Sequence, residues 1–272
     1  MDNAVTIAQN GRTERKPVQI LPLNLIDVSY EIAGMRLIKD MNVSFDFSSL
    51  SVILGPNGAG KSLLLRLCHG LIQPSSGTVC WNGPTASSPK HYQAMVFQRP
   101  VMLRRSVYAN LSHGLKYRGV RKAQQIRIIE ETLHHTGLTR LANMPARLLS
   151  VGEQQRLAVA RAWSLDPEVL FMDEPTAALD PAAIYSLEEI IGAIKKVGTK
   201  IIMSTHDLGQ ARRLADDVLF MYRGRLLERA DAGPFFNRPE NDLAQAFIRG
   251  ELLWWNRQEL KPPETFKERW QK

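Results

Sequence analysis

The chain has 272 residues, 44% hydrophobic and 23% charged, which is ordinary globular usage and enough length to bury a sizeable core. Nothing in it approaches the run of about 18 apolar residues that a membrane-spanning helix requires. Its formal charge of +8 admits nucleic acid, anionic lipid or phosphorylated ligands, and decides between none of them.

Residues 1–20 are polar and without periodicity or the apolar stretch of a secretory signal, so they read as a flexible extension. Residues 23–30 (LNLIDVSY) alternate with period two, and a turn at Ala33-Gly34 leads to a second strand candidate at 42–47. Residues 51–54 (SVIL) form a short apolar strand that runs into a glycine-rich turn. Residues 62–69 then follow a helical pattern ended by Gly70. Strand candidates come next at 78–81 and 94–97.

From 106 to about 150 helical stretches replace the strand pattern, among them 121–136, stopped by Gly137. Alternation then resumes: strand 168–172, helix 182–197, strand 200–204, helix 207–215 and strand 218–222. That order predicts an α/β fold, a mostly parallel sheet flanked by helices with a helical insertion. The tail carries Trp254, Trp255 and Trp270, expected to pack on the chain's own body. The basic stretches at 99–105, 116–127 and 212–229 lack the interleaved aromatics of a single-strand binder and read as solvated faces. Cys68 and Cys80, without a CxxC or Cys/His cluster, read as buried reduced thiols.

Gly55, Pro56, Asn57, Gly58, Ala59, Gly60, Lys61 and Ser62 match GxxxxGK[ST] in the required place, between an apolar strand and a helix. Glycines let the backbone curl until successive N–H groups face phosphate oxygens, and the helix start adds its positive dipole end. In such a loop Lys61 bridges the β- and γ-phosphates, Ser62 ligates Mg²⁺, and Leu63 completes the cradle. Residues 169–174 are an apolar strand ending in two carboxylates. Beside a phosphate loop, Asp173 suits the Mg²⁺ coordination sphere, and Glu174 suits the attacking water as general base or positioner. Together these residues predict a nucleotide triphosphatase.

Residues 149–156 (LSVGEQQR) resemble the LSGGQ signature of ATP-binding-cassette (ABC) proteins, with Val151 for the first glycine and Glu153 for the glutamine. Gln98 (VFQRP) resembles that family's Q-loop, Ala178-Leu179-Asp180 its D-loop, and His206 (STHD) its switch histidine. Tyr30 resembles its adenine-stacking aromatic. Asp180 before Pro181 is also, independently, a good helix N-cap.

The resemblance covers about 21–240 and implies a P-loop NTPase core with a mostly parallel sheet, an antiparallel β-subdomain and an inserted helical subdomain. It implies a body over 21–242, with the helical part at about 106–150, and a C-terminal helix and tail over 243–272. It further implies a head-to-tail homodimer that sandwiches ATP and Mg²⁺. Lys61, Gln98, Glu174 and His206 would act in cis, with Ser62, Gln98 and Asp173 at the metal. Ser150, Gly152 and Asp180 would act across the interface.

One cassette and no membrane span imply a pore made by separate permease subunits, as in importers fed by an extracytoplasmic solute-binding protein. Such an ATPase works at the cytoplasmic face of the plasma membrane, with no nucleic acid as partner. The chain also ends before the C-terminal regulatory barrel of sugar and molybdate importer ATPases. The runs 63–70 (LLLRLCHG), 96–105 (VFQRPVMLRR) and 205–214 (THDLGQARRL) look most like tungstate importer ATPases, with phosphate importer ATPases next. A separate-subunit exporter or lipoprotein extractor shares every catalytic motif, and a soluble cassette protein is a further alternative. A P-loop kinase or GTPase would leave the signature and His206 unexplained.

The departure at Val151 has a local reading. Ser150-x-x-Glu153 has capping-box spacing, which makes Ser150 the N-cap and Val151 the first helical residue, where glycine is not required.

Overall fold

The structure, a computed structural model, describes residues 20–46, 50–84, 86 and 89–251. The expected N-terminal extension (save residue 20) and the three tail tryptophans lie outside the described residues.

Strand β1 (Leu23–Ile32) and strand β2 (Met35–Phe45) pair antiparallel around Ala33 and Gly34, both at positive φ. β2 begins well before the expected residue 42, because pairing runs straight out of this tight turn, through a segment in which only Ile38 and Met41 are buried between more exposed residues. β3 (Leu50–Leu54) is buried throughout and leads through the phosphate loop into α1 (Lys61–His69). That helix stops at Gly70, whose φ of 78° closes the last turn. β4 (Ser76–Trp81) pairs with β1 and completes a three-stranded antiparallel sheet, and β5 (Gln93–Val96) joins a second sheet.

In α2 (Val107–Tyr117), Val107, Leu111 and Leu115 form one buried stripe, and α3 (Lys122–His135) buries Ile129 and Leu133. Gln125 is buried yet satisfied: it accepts from Ser112 Oγ at 3.1 Å and donates to the Val120 carbonyl at 2.6 Å, tying the two helices. α4 (Val151–Ser164) packs against both.

The alternating part follows as β6 (Val169–Asp173), α5 (Pro181–Lys196), β7 (Lys200–Thr205), α6 (Leu208–Leu214) and β8 (Asp217–Tyr222). β9 (Arg225–Asp231), α7 (Ala232–Asn237) and α8 (Asp242–Ile248) complete the described chain.

The second sheet has the order β5-β6-β7-β3-β8-β9, with the first five strands parallel and β9 antiparallel to β8. Strands β3, β6, β7 and β8 are buried on both faces. Val52, Leu170, Met172 and Phe220 enter the core beneath the helices, while Ile53, Phe171, Leu219 and Met221 enter a core shared with α1 and the antiparallel sheet.

Of the two cysteines only Cys68 is buried; Cys80, on β4, is half-buried and so departs from the expectation. Arg99, Arg104, Arg105, Arg212 and Arg223 are exposed, in keeping with solvated faces.

The order β5-β6-β7-β3 has one consequence for chemistry. The C-terminal ends of these four strands lie side by side, so groups scattered between residues 55 and 206 arrive at one edge.

Candidate functional site

The loop after β3 depends on glycines at its tightest points. A Cβ on Gly55 would lie 2.2 Å from the Met221 carbonyl oxygen. Gly60 has φ 99°, and a Cβ there would come within 2.8 Å of Ile38 on β2. Gly60 is also the N-cap of α1, and no side-chain hydrogen bond caps that helix. Its first N–H groups are therefore available to an anion. The loop floors a cleft of about 490 Å³ whose walls include Lys61, Ser62, Gln98, Glu174 and His206.

Glu174 is the hub of the cleft. Its carboxylate meets Lys61 Nζ at 3.1 Å, His206 Nδ1 at 3.2 Å and Gln98 Nε2 at 3.5 Å. Lys61 also donates to the carbonyls of Gly55 and Pro56 at 2.9 and 3.1 Å, and is buried. One residue away, Asp173 Oδ1 accepts from Ser62 Oγ at 2.7 Å. This pair offers only oxygen donors, the set a hard divalent cation selects, so the residues present fit Mg²⁺ with a triphosphate. A carboxylate that shares an ammonium, an amide and an imidazole can accept a proton from a water while the ammonium turns to an arriving anion.

Ser204 was not visible as a site residue. Its Oγ donates to Asp173 Oδ1 at 2.8 Å and accepts the Glu174 N–H at 3.0 Å. The signal was there only in part: Ser204 stands two residues before His206, but its partner is set by the register of β6 on β7, where Asp173 faces Ser204.

Of the other expected residues, Asn57, Gly58, Ala59 and Leu63 also line this cleft, whereas Tyr30, Ser150, Gly152 and Asp180 do not. Ser150 caps α4, and the capping box is complete. Its N–H and Oγ both donate to Glu153 Oε2 at 2.8 Å, and the Glu153 N–H returns to Ser150 Oγ at 3.4 Å. The Ser150 backbone N–H, then its hydroxyl, hold the Glu153 carboxyl below its ordinary value. A Cβ on Gly152 would meet Ala183 at 3.0 Å, so the start of α4 rests on the start of α5. Asp180 caps α5 by accepting from the N–H groups of Ala182 and Ala183, both at 3.0 Å. Val151 is exposed and shares with Gln98 and Leu179 a second cleft of about 240 Å³. Tyr30 pairs with Ile38, the residue that crowds Gly60, which puts it on the sheet beside the loop.

Comparison with known proteins gives the family of the chain. A family model described as ABC transporter matches residues 38–177. The tungstate uptake system ATP-binding protein TupC of Peptoclostridium acidaminophilum is 34% identical over 209 residues, which is 76% of this chain and 98% of the relative. The phosphate import ATP-binding protein PstB of Mycoplasmoides gallisepticum is 32% identical over 250 residues, 86% of this chain and 77% of the relative. Among solved structures, cbiO1 from Clostridium perfringens, described as part of the ABC transporter complex cbiONQ, is similar with a TM-score of 0.72 at 27% identity. That likeness covers 85% of this chain and 95% of the other.

Proposed function

Because the chain belongs to the ABC transporter family, as an ATP-binding and ATP-hydrolysing subunit, we propose that it powers import of an inorganic oxyanion, tungstate first, through separate permease subunits. The observation that carries the ATPase half is the convergence of Lys61, Gln98 and His206 on the Glu174 carboxylate beside the Ser62–Asp173 pair. The oxyanion half is supported by relatives whose names specify tungstate uptake and phosphate import.

In this reading Lys61 leaves Glu174 to neutralise phosphate oxygens, and Glu174 takes the proton of the attacking water. His206 and Gln98 hold the carboxylate and the water in line. Ser62 and Asp173 would hold Mg²⁺, which would offset the negative charge that builds on the phosphate. Tyr30 stacks on the adenine.

Ser150, Gly152 and Asp180 serve the nucleotide of a second copy, in a head-to-tail dimer closed by ATP and reopened by hydrolysis. The permease docks in the cleft of about 300 Å³ between β5, α2 and α4, lined by Leu103, Asn110, His113 and Arg161. The dimer then lies at the cytoplasmic face of the plasma membrane. A solute-binding protein on the far side delivers the anion and touches this chain only through the permease. Among the described residues no helix is long and apolar enough to cross a membrane, which fits a subunit that borrows its pore.

The test is uptake by cells that lack this chain, with labelled tungstate, molybdate and phosphate. Loss of tungstate uptake, restored by the wild-type chain and not by Lys61→Ala, is the expected result. Unchanged uptake of all three anions would sink the import reading.

A further inference from the structure

Asp173 Oδ1 accepts two hydroxyls, from Ser62 at 2.7 Å and from Ser204 at 2.8 Å. In the reading above Ser62 turns an oxygen lone pair to Mg²⁺, and its proton stays available to Asp173. Ser204 is fully buried on β7 and donates to the same carboxylate oxygen from the strand paired with β6. The same hydroxyl oxygen accepts the N–H of Glu174 at 3.0 Å, an N–H that the Ser204 carbonyl shares at 3.2 Å. Glu174 has φ 41°, in the left-handed region that a residue with a Cβ occupies only when its surroundings hold it there. A single buried hydroxyl thus orients one carboxylate through its side chain and the next through its backbone.

We propose that Ser204 is a positioning residue of the hydrolysis site: its buried hydroxyl keeps the Asp173 carboxylate aimed at Mg²⁺, and it helps to hold the backbone from which Glu174 reaches the water. Outer partners that orient a metal ligand typically matter by about ten- to a hundredfold in metal affinity or activity. The inference rests on the reading of Asp173 as a Mg²⁺-side residue, and the experiment separates the two.

The test compares Ser204→Ala, Ser204→Val and Ser204→Thr with the wild type and with Asp173→Asn. Threonine keeps the hydroxyl, and valine has nearly its shape without it. Two quantities are measured: the Mg²⁺ concentration for half-maximal ATPase, and the rise in melting temperature produced by ATP with Mg²⁺ and by ATP with chelator. The expected result for the alanine and valine variants is a Mg²⁺ requirement raised about tenfold. Their stabilisation by Mg²⁺-ATP is reduced, and their stabilisation by ATP in chelator is unchanged. The threonine variant stays within about threefold of wild type. Equal behaviour of the threonine and valine variants would overturn the proposal, because shape and not the hydroxyl would then matter. So would an unchanged Mg²⁺ requirement in the alanine variant while Asp173→Asn raises it. An unchanged requirement in Asp173→Asn would instead overturn the metal reading on which the proposal stands, and the proposal with it.

Discussion

Glu174 has an unfavourable backbone conformation, and its partners come from distant segments: Lys61 at the start of α1, Gln98 past the end of β5, His206 just beyond β7 and Ser204 on β7 itself. The first three were legible because each lies in a short linear motif with its own chemistry. Ser204 was not, since its role exists only through the pairing of β6 with β7, and register is a long-range property.

Val151 was legible as a departure, and its consequence follows from the cap. As the first residue of α4 its side chain is 60% exposed and its backbone is ordinary helix, so glycine is not demanded there. Val151→Gly is therefore expected to change the ATPase rate by less than about tenfold, or ~1.4 kcal/mol of barrier. Steady-state hydrolysis measures this, and a much larger gain would mean that the signature is impaired in this chain. Ser150→Arg, on the exposed start of α4, should nearly abolish ATPase while leaving nucleotide binding by the monomer intact, as titration with a fluorescent ATP analogue would show. Loss of that binding would move Ser150 into the cis site.

Among elements, the long buried strands and the helices ended by Gly70 and Gly137 were legible within a residue or two, because periodicity and a left-handed stop are local signals. β9 was not. Its sequence RLLERAD carries four charges and lies at a sheet edge, where charge guards against further pairing but erases the apolar alternation that marks a strand.

The end of α1 makes a prediction about pH. His69 packs edge-on against Phe171 with ring centroids 5.6 Å apart, and its buried Nδ1 has no hydrogen-bond partner. Desolvation by burial, then the nearby Lys90 charge, push it from 6.5 down to about 4. A depressed histidine is neutral in the folded chain while the unfolded chain takes up the proton. Its contribution to stability is full above about pH 6.5 and is lost as pH falls from there towards 4. Chemical denaturation at several pH values should show that loss, and His69→Leu should flatten the curve across this window. An equally steep curve in the variant would assign the acid sensitivity to other groups.

At the scale of the whole molecule, strand order decides where chemistry falls, and strand order is what the sequence carries least directly. The alternation of strands and helices predicts a parallel sheet, yet only β5-β6-β7-β3 adjacency brings Gln98, Asp173, Glu174, His206 and the phosphate loop to one edge. Ser150, Gly152 and Asp180 lie outside that cleft, at the touching starts of α4 and α5, where the proposed second copy would have to bring its nucleotide.

The permease surface has its own test. Crosslinks from a co-purified permease should map to residues 99–105 and to α2, beside the cleft lined by Leu103 and His113. Crosslinks confined to the N-terminal extension would contradict the docking site.

The central claim is that Glu174 drives hydrolysis at an ATP-closed dimer, and Glu174→Gln tests it most directly. The substitution removes the proton acceptor and the charge that Lys61 must leave, but keeps the phosphate cradle. Size-exclusion chromatography with light scattering, in Mg²⁺ and saturating ATP, should find this variant dimeric and hydrolytically silent, and monomeric once ATP is removed. A variant that binds ATP yet stays monomeric, or one that hydrolyses it at the wild-type rate, would contradict the account.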